Sequence, residues 1–457
     1  MIKIKDKPDS SKDIKELLHP FVREWFFKKF KDFSLPQQFG VMEVHSRNNI
    51  LVSAPTGSGK TITAFLSILN ELIDSHEKGV LEDRVYAVYI SPLKALNNDI
   101  YVNLIAPMKE IEEVAGKKLG IRIAVRTGDT TQAEKSKMLA KPPHILITTP
   151  ESLAIVLSSF KFRDYFKKID WVVVDELHSL AENKRGVHLS LSVERLQYLS
   201  PGLCRVGLSA TISPLDEIAK FLVGPNRDCK IIDARFNKGM DLKVLSPVDD
   251  IVNSSFNSVN NEMYKLIDKL IHEHKTTLIF TNTRSATERV VHHLRTHFPK
   301  KYTEILEAEG KEDEVTNLIG AHHGSLSKEH RFKMEQALRD GKLKAIVSST
   351  SLEMGIDIGY VDLVICLGSP KSISRLVQRS GRSGHRLDAI TKARIIVTDR
   401  DDLVECSVMS KFALERKIDS IHIPTNCLDV LAQQIYGMSF EQVWDIEQLF
   451  NLVKASY

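Results

Sequence analysis

A glycine-rich loop that ends in lysine and threonine is the segment of the sequence best suited to phosphate chemistry. It runs Ala54-Pro-Thr-Gly-Ser-Gly-Lys-Thr61, after a short apolar run and before a helical pattern. Backbone N–H groups of such a loop curl around phosphate oxygens, and the start of the helix adds the positive end of its dipole. Lys60 would reach the β- and γ-phosphates, and the Thr61 hydroxyl could ligate Mg²⁺. The residues predicted to cradle the phosphates are Thr56, Gly57, Ser58, Gly59, Lys60 and Thr61.

Two adjacent carboxylates supply what a nucleotide-cleaving site needs beside that loop. The segment Asp175-Glu-Leu-His178 directly follows the apolar run Trp171-Val-Val-Val174. In phosphoryl transfer one carboxylate holds the metal ion and another group orients the attacking water. Asp175 is therefore predicted to bind Mg²⁺, and Glu176 to polarise a water molecule in line with the γ-phosphate.

A side-chain amide upstream of the loop could recognise the base. The segment Phe33-Ser-Leu-Pro-Gln-Gln38 places Gln38 ahead of the glycine-rich loop. An amide offers both a donor and an acceptor to the edge of adenine. Gln37 is a neighbouring candidate for the same role. Together these segments predict the binding and hydrolysis of ATP with Mg²⁺.

The elements that must position these residues repeat along the chain as a short apolar run, small or polar residues, and a helical pattern. The first five runs are residues 49–53, 84–90, 144–148, 171–174 and 205–208, and the pattern restarts at 276–280, 345–347, 363–367 and 393–397. Runs that are apolar on both faces and alternate with helices are typical of a parallel sheet covered on both sides. The sequence therefore predicts two α/β domains in series.

Composition narrows the class of protein. The chain has 457 residues, 42% of them hydrophobic and 27% charged, which excludes a disordered or collagen-like chain. The net charge of +4 is small, so a polyanion would have to be held by local groups. The five cysteines contain no CxxC pair, no apolar run approaches about 20 residues, and the first residues lack the apolar core of a secretory signal. We expect a soluble, cytoplasmic protein with reduced thiols.

Further segments resemble the motifs of the superfamily 2 DExH helicases, in the order in which that superfamily has them. They are Ser91-Pro-Leu-Lys-Ala-Leu-Asn97, Thr149-Pro-Glu-Ser-Leu153, Asp175-Glu-Leu-His178, Ser209-Ala-Thr211, Ile279-Phe-Thr-Asn-Thr-Arg284, Ser349-Thr-Ser-Leu-Glu-Met-Gly-Ile-Asp357 and Gln378-Arg-Ser-Gly-Arg-Ser-Gly-His385. The large helicase-related (Lhr) subgroup is the most similar. Its features are His19-Pro-Phe-Val-Arg-Glu-Trp-Phe26, Arg126-Thr-Gly-Asp-Thr130, His322-His-Gly-Ser-Leu-Ser327, Gly368-Ser-Pro-Lys371 and Leu428-Asp-Val-Leu-Ala-Gln-Gln434.

The resemblance implies two tandem RecA-like domains, each a parallel sheet flanked by helices, with ATP in the cleft between them. Residues 1–235 would form the ATP-binding domain and residues 236–400 the second domain. Residues 236–250 would be the linker, with one short strand. Residues 401–457 have a helical pattern and resemble the start of a winged-helix domain, so we expect a truncated core.

The resemblance also implies roles for single residues of the second domain. Arg382 would be the arginine finger that neutralises charge on the γ-phosphate, and Gln378 would sense that phosphate. Arg379 and Arg386 are secondary candidates for the role of Arg382 toward the nucleotide. Gly355 and Asp357 would meet the ribose. His385 stands where many members of the superfamily have a second arginine.

By the same resemblance, polar loops of both domains form a track for nucleic acid. Hydroxyls, backbone amides and a few cations grip phosphate and sugar without reading bases. The track is assigned to Ser91, Pro92, Lys94, Thr127, Gly128, Asp129, Thr149, Pro150, Thr281, Asn282, Arg284, His323, Gly324 and Thr350. The residues expected to couple the state of the nucleotide to domain closure are His178, Ser209 and Thr211.

These expectations predict an ATP-dependent helicase or translocase that moves 3′ to 5′ on single-stranded DNA. A truncated core would show strand-stimulated ATP hydrolysis with weak unwinding. One alternative is an RNA helicase, because the track residues do not discriminate a 2′-hydroxyl. Another is a nucleic-acid annealing or scaffold protein that binds ATP without productive turnover. Nothing in the sequence indicates a membrane or a protein partner.

Overall fold

A computed structural model describes residues 1–55, 57–92, 101–235, 239–297, 303–306, 314–349, 352–353, 361–384, 390–440 and 442–457. Six predicted site residues lie outside these ranges: Thr56, Lys94, Thr350, Gly355, Asp357 and the secondary candidate Arg386. In the described part, none of the helices combines the length and the apolar character needed to cross a bilayer.

Helices and short strands alternate through most of the chain. The strands are β1 (Ile2–Ile4), β2 (Ile50–Ser53), β3 (Ala87–Ile90), β4 (Ile123–Arg126), β5 (Ile145–Thr148), β6 (Trp171–Val174), β7 (Cys204–Ser209), β8 (Cys229–Asp233), β9 (Met240–Leu245), β10 (Thr277–Phe280), β11 (Thr303–Leu306), β12 (Glu314–Asn317), β13 (Ile319–His322), β14 (Ala345–Ser348), β15 (Leu363–Leu367) and β16 (Thr391–Ile396). The α-helices are α1 (Ser11–Leu17), α2 (Pro20–Lys29), α3 (Leu35–His45), α4 (Lys60–Glu77), α5 (Ala106–Ala115), α6 (Gln132–Ala140), α7 (Pro150–Leu157), α8 (Phe160–Arg163), α9 (Leu177–Ala181), α10 (Lys184–Leu199), α11 (Leu215–Val223), α12 (Phe256–Glu273), α13 (Arg284–His297), α14 (Lys328–Arg339), α15 (Ile373–Ser380), α16 (Arg400–Leu414), α17 (Leu428–Ser439) and α18 (Ile446–Lys454). A π-helical turn precedes α5 at Tyr101–Ile105, and a 3₁₀ turn follows α8 at Asp164–Phe166.

The chain divides into two compact units. Unit 1 comprises Met1–Ala54, Ser58–Arg235 and Ser420–Tyr457, and unit 2 comprises Phe236–Asp419 with Pro55–Gly57. The sequence assigned residues 401–457 to one region. In the structure the boundary between the two units falls within that region, between Asp419 and Ser420. The helical pattern expected there is present as α16, α17 and α18. That these helices begin a winged-helix domain stays a prediction.

Unit 1 is built on a sheet of eight strands in the order β1-β8-β2-β7-β6-β3-β5-β4. Every pairing within it is parallel. The strands β2, β3, β5 and β6 are buried at every residue, because helices cover both faces of the sheet. One core contains Trp171, Phe26 and the apolar side of α4, and another contains Phe162, Phe166 and Phe221. The predicted α/β class is confirmed here.

Unit 2 has a sheet of six strands in the order β13-β14-β10-β15-β16-β9, and again every pairing is parallel. The strands β11 and β12 form a separate antiparallel pair. The edge strand β9 comes from the segment predicted to be the linker, and it pairs along its length with β16. The expected short strand therefore exists, and it belongs to the sheet of unit 2.

Helix α17 is attached to unit 1 through the amide of Gln434, which is 2% exposed. Its Nε2 donates to the carbonyl of His188 at 3.1 Å and to Ser192 Oγ at 3.0 Å. Its Oε1 accepts from Arg195 Nη1 at 2.8 Å, and Arg195 Nη2 donates to Ser158 Oγ at 3.0 Å. Since buried polar groups are costly when unpartnered, this network fixes α17 on α10.

Replacement of Gln434 by alanine is expected to lower the free energy of unfolding of unit 1 by about 1–3 kcal/mol. The reason is that a buried N–H of the Arg195 guanidinium loses its hydrogen-bond acceptor. The three tryptophans, Trp25, Trp171 and Trp444, all lie in unit 1, so urea unfolding followed by their fluorescence isolates this unit. Gln433→Ala is the matched control, because Gln433 is exposed one residue earlier on the same helix. Equal stabilities of the two variants would contradict the role given to Gln434.

Candidate nucleotide site and nucleic-acid track

The predicted phosphate loop joins β2 to α4 and depends on two left-handed glycines. Gly57 has a φ of 74°, and Gly59, which caps the start of α4, has a φ of 86°. A Cβ on Gly59 would lie 2.8 Å from Nε2 of Gln37, so the loop has neither the backbone freedom nor the space for another residue there. Lys60 is buried, and its Nζ donates to the carbonyl of Ala54 at 2.6 Å. The lysine is thereby folded back over the loop that it is predicted to serve.

The two carboxylates lie at the end of β6, between β7 and β3 in the sheet. Asp175 Oδ1 accepts from the backbone N–H of Glu176 at 2.8 Å, and Oδ2 accepts from the hydroxyl of Tyr89. Glu176 adopts a left-handed conformation with a φ of 48° and caps α9. A non-glycine residue in this region is strained, and such strain is common at functional sites.

Burial raises the pKa of Asp175 to about 6, and the neighbouring charge of Glu176 adds to the effect. The Tyr89 hydrogen bond and the charge of Lys60 act in the opposite direction. Burial and the neighbouring carboxylate thus disfavour the charged form of Asp175, and a divalent cation would favour it. Hard carboxylate and hydroxyl oxygens suit Mg²⁺. Within the described ranges, no group of three or more His, Cys, Asp or Glu side chains could hold a metal ion. A magnesium site here would therefore rest on Asp175, Thr61 and phosphate oxygens.

The segment Ser209-Ala-Thr211 begins at the last residue of β7 and contacts the histidine of the carboxylate segment. His178 Nδ1 accepts from the backbone N–H of Ala210 at 3.1 Å and lies 3.4 Å from Ser209 Oγ. The Nε2 atom of the same ring lies 3.4 Å from Glu176 Oε2. The structure therefore brings the residues predicted to couple nucleotide state to motion next to Glu176, with Thr211 buried beside them.

In unit 1, the predicted track residues follow three neighbouring strands. Ser91 follows β3, Thr127 follows β4 and Thr149 follows β5, and these strands are adjacent in the order β3-β5-β4. Because parallel strands end at the same edge of a sheet, the three loops lie side by side. They continue the edge along which β2, β7 and β6 present the nucleotide loops.

The track loops differ in how much of their polar surface is open. Gly128 and Asp129 are exposed, and the backbone N–H of Asp129 donates to Thr127 Oγ1 at 3.3 Å. Thr149 is buried and caps α7, with Pro150 as the first residue of that helix. Ser91 is also buried, and its N–H donates to the carbonyl of Thr148 at 3.1 Å.

In unit 2, the predicted track residues follow β10 and β13. Thr281 is buried and exchanges a hydrogen bond of 2.8 Å with Thr287, while Asn282 Nδ2 donates to the carbonyl of Ser369 at 3.0 Å. Arg284 Nη1 donates to Ser325 Oγ at 2.7 Å. Thr281 and Asn282 thus have partners within the protein, and Arg284 holds the turn after β13.

The other two residues of this group lie in that turn. His323 is buried, and its Nε2 lies 2.5 Å from Glu288 Oε1. Gly324 is exposed, and a Cβ on it would lie 3.8 Å from Arg284 Nη2. The guanidinium and the imidazole therefore lie at the same end of the sheet.

The arginine-rich segment predicted to serve the γ-phosphate lies on α15 and in the turn that follows it. Arg379 is 2% exposed, its Nη2 donates to Glu353 Oε2 at 3.2 Å, and its guanidinium lies over the ring of Phe280. Arg382 is 6% exposed, and its Nη2 donates to the carbonyl of Glu353 at 2.8 Å. Gln378 is half-buried on the same helix. In this structure the two arginines thus share Glu353, and their roles toward phosphate stay predictions.

The structure distinguishes the two glutamines proposed for adenine recognition. Gln38 Nε2 donates to the carbonyl of Phe33 at 3.0 Å. Gln37 is buried, its Oε1 accepts from the backbone N–H of Ser34 at 2.9 Å, and its Nε2 lies against Gly59. Gln37 therefore shapes the phosphate loop, whereas the assignment of Gln38 to adenine stays a prediction.

Two residues at these sites were not found from the sequence. The hydroxyl of Tyr89 donates a hydrogen bond to Asp175. The guanidinium of Arg185 bridges two track loops. A tyrosine within an apolar strand and an arginine at the start of a helix belong to no sequence motif that would indicate a function. Their partners are far away in sequence, so spacing could not have revealed them.

Comparison with known proteins gives two family matches. Residues 35–219 match the DEAD/DEAH box helicase family, and residues 260–386 match the helicase conserved C-terminal domain. These segments contain the phosphate loop, the carboxylate pair and the arginine-rich segment.

Individual relatives cover nearly the whole chain. An ATP-dependent helicase Lhr-Core of Methanothermobacter thermautotrophicus is 54% identical over 464 residues, which is 100% of this chain and 52% of the relative. That of Methanocaldococcus jannaschii is 53% identical over 456 residues, which is 99% of this chain and 52% of the relative. The chain thus spans about half the length of the curated relatives that it matches.

A solved structure shows the same architecture. The helicase Lhr of Mycobacterium smegmatis, bound to single-stranded DNA and AMP-PNP, superimposes with a TM-score of 0.83 at 37% identity. The match covers 96% of this chain and 55% of that one. The two parallel sheets are accordingly the tandem RecA-like domains expected from the motifs, and the chain belongs to the Lhr subgroup of the superfamily 2 DExH helicases.

Proposed function

We propose that the chain is an ATP-dependent nucleic-acid helicase or translocase that moves 3′ to 5′ on single-stranded DNA. One observation carries this proposal: a single edge of the unit 1 sheet presents the nucleotide loops and the track loops next to one another. The loops after β2, β7 and β6 carry the phosphate, coupling and carboxylate residues, and those after β3, β5 and β4 carry the track residues. Binding and hydrolysis at one half of the edge can thus alter the geometry of the other half.

The proposed hydrolysis uses residues whose positions suit their roles. The backbone of Gly57–Lys60 and the start of α4 would bind the phosphates, and Lys60 would exchange the Ala54 carbonyl for phosphate oxygens. Thr61 and Asp175 would hold Mg²⁺, which would supply positive charge against the negative charge that develops on the phosphates. Glu176 would orient and deprotonate the attacking water. Arg382, with Gln378, would stabilise the transferred phosphoryl group.

The proposed binding of a single strand rests on the character of the track, and the choice of DNA rests on one neighbour. The described track residues are hydroxyls, backbone amides and single cations, which grip a strand without reading its bases. The Mycobacterium smegmatis Lhr structure holds single-stranded DNA and AMP-PNP. An RNA strand would satisfy the same groups, so the preference for DNA has to be measured.

Glu176→Gln is expected to lower strand-stimulated ATP hydrolysis by about 10²–10⁴-fold, because the amide cannot take the proton of the attacking water. Steady-state hydrolysis would be measured without polymer and with single-stranded DNA, duplex DNA or single-stranded RNA. Glu182→Gln is the matched control, since Glu182 is exposed at the end of α9. Stimulation by RNA alone would favour an RNA helicase. No stimulation by any polymer would contradict the motor and favour the scaffold alternative.

The direction of movement can be measured without a duplex. Streptavidin bound at the 5′ end of a biotinylated single-stranded DNA should be displaced in an ATP-dependent manner, because a motor moving 3′ to 5′ runs toward that end. Streptavidin at the 3′ end should stay bound, and Lys60→Ala should abolish displacement at either end. Preferential displacement from the 3′ end would contradict the proposed polarity.

Because the pKa of Asp175 is raised to about 6, protons should compete with Mg²⁺ near neutral pH. The carboxyl is mostly ionised at pH 7.5 and mostly protonated at pH 5. The Mg²⁺ concentration for half-maximal binding of a fluorescent ATP analogue should therefore rise as the pH falls, by up to about tenfold per pH unit below the pKa. Asp175→Asn keeps the titration of the nucleotide itself but should lose this additional dependence. The same pH profile in both proteins would exclude Asp175 as a metal ligand.

A further inference from the structure

Arg185, at the start of α10, contacts two of the track loops at once. Its Nη2 donates to the backbone carbonyl of Pro92 at 2.8 Å, and its Nε donates to Glu151 Oε1 at 2.6 Å. Pro92 belongs to the loop after β3, and Glu151 lies in the first turn of α7, after Thr149. The planar guanidinium presents fixed donors to both partners, so its two contacts set the distance between these loops.

A continuous set of hydrogen bonds connects Arg185 to the proposed general base. The hydroxyl of Ser179 donates to the carbonyl of Glu176 at 2.8 Å, and Asn183 Nδ2 donates to the carbonyl of Ser179 at 2.7 Å. Asn183 Oδ1 then accepts from the backbone N–H of Arg185 at 3.0 Å. The segment from Glu176 to Arg185 is therefore held by its own short-range contacts.

Gly186 allows α10 to begin close to α9. A Cβ at this position would lie 2.1 Å from the carbonyl oxygen of Leu180, a distance that no side chain can occupy. The two helices therefore meet with little freedom to separate. A displacement at Glu176 should consequently be passed on to the start of α10, where Arg185 meets the track.

We propose that Arg185 is a positioning residue for nucleic-acid binding, and that it joins the loops at Pro92 and Glu151 to the segment that begins at Glu176. The inference rests on the proposed function and extends it to a residue outside the motifs. The side chains of Arg185 and Glu151 are 45% and 53% exposed, so their ion pair by itself stabilises the fold little. Arg185 contributes by fixing the geometry of the track, and it does not itself contact the nucleic-acid strand.

The first test is the binding of a fluorescein-labelled oligo(dT) by anisotropy, with Arg185→Gln in the otherwise unchanged chain. Arg185→Gln should raise the Kd by about fivefold, within the range of about 2- to 30-fold seen for coupling residues. The strand concentration for half-maximal ATPase stimulation should rise in parallel. Lys184→Gln is the matched control, because it removes the same charge one residue earlier, where Lys184 pairs with exposed Asp429 at 2.7 Å. This control should change the Kd by less than about twofold.

Two further measurements separate positioning from simple charge. The slope of log Kd against log salt concentration should be the same in Arg185→Gln and the wild type, whereas loss of a phosphate contact would make the slope shallower by about one. Arg185→Lys should bind as weakly as Arg185→Gln, because an ammonium group lacks the planar fork. A shallower slope, full rescue by lysine, or equal effects of Arg185→Gln and Lys184→Gln would each overturn the inference. Failure of the wild type to bind the strand would instead overturn the proposed function.

Discussion

The parallel alignment of the unit 1 sheet is the constraint on which both sites depend. All of its pairings are parallel, so every strand sends its following loop to the same edge. The order β2-β7-β6-β3-β5-β4 places the phosphate, coupling and carboxylate loops together and sets the three track loops beside them. Reversal of a single central strand would send its loop to the opposite edge. The chemistry is thus arranged by topology before any side chain is considered.

Electrostatics then distinguishes the half of that edge where nucleotide binding is proposed. Asp175 and Glu176 are adjacent, and the pKa of Asp175 is raised mainly because the carboxyl is removed from water, with a smaller contribution from the neighbouring charge of Glu176. Lys60 is held by the Ala54 carbonyl, an uncharged partner that a phosphate would outcompete. In unit 2, by contrast, Arg379 is paired with Glu353, so that its buried charge is compensated within the protein.

The sequence was most informative where a motif coincided with a strand that is buried on both faces. The strands at residues 50–53, 171–174 and 363–367 are continuous apolar runs, and the predicted α/β architecture followed from them. The strands missed were β1, β4, β8, β11, β12 and β13. β13 is buried at every residue, but its sequence Ile-Gly-Ala-His is not a continuous apolar run. β4 is only half-buried, and β8 carries Lys230 and Asp233 among its apolar residues, so neither has the pattern of a fully buried strand. β9 was placed in a linker because Gly and Pro flank it, although pairing with β16 decides its structure.

The site residues also fall into two groups, those that the sequence pointed to and those that only the fold reveals. The roles of Lys60, Asp175 and Glu176 were predicted from their spacing and order, and they stay predictions. Tyr89 and Arg185 could not, since their partners lie 86 and 93 residues away and only the fold brings them together. Gln37 was treated as a rival to Gln38, whereas its contact with Gly59 gives it a different task. Local spacing suggests candidate ligand-binding groups, and tertiary structure is needed to find the side chains that hold those groups in place.

The division of one sheet edge into a nucleotide half and a strand half can be measured directly by hydrogen–deuterium exchange of backbone amides. A non-hydrolysable ATP analogue with Mg²⁺ should protect residues 57–62 and 175–179, and oligo(dT) alone should protect residues 127–130 and 149–153. Both ligands together should protect all four segments. Protection by oligo(dT) confined to residues 57–62 and 175–179, or to the amino-terminal ends of the strands, would contradict the account.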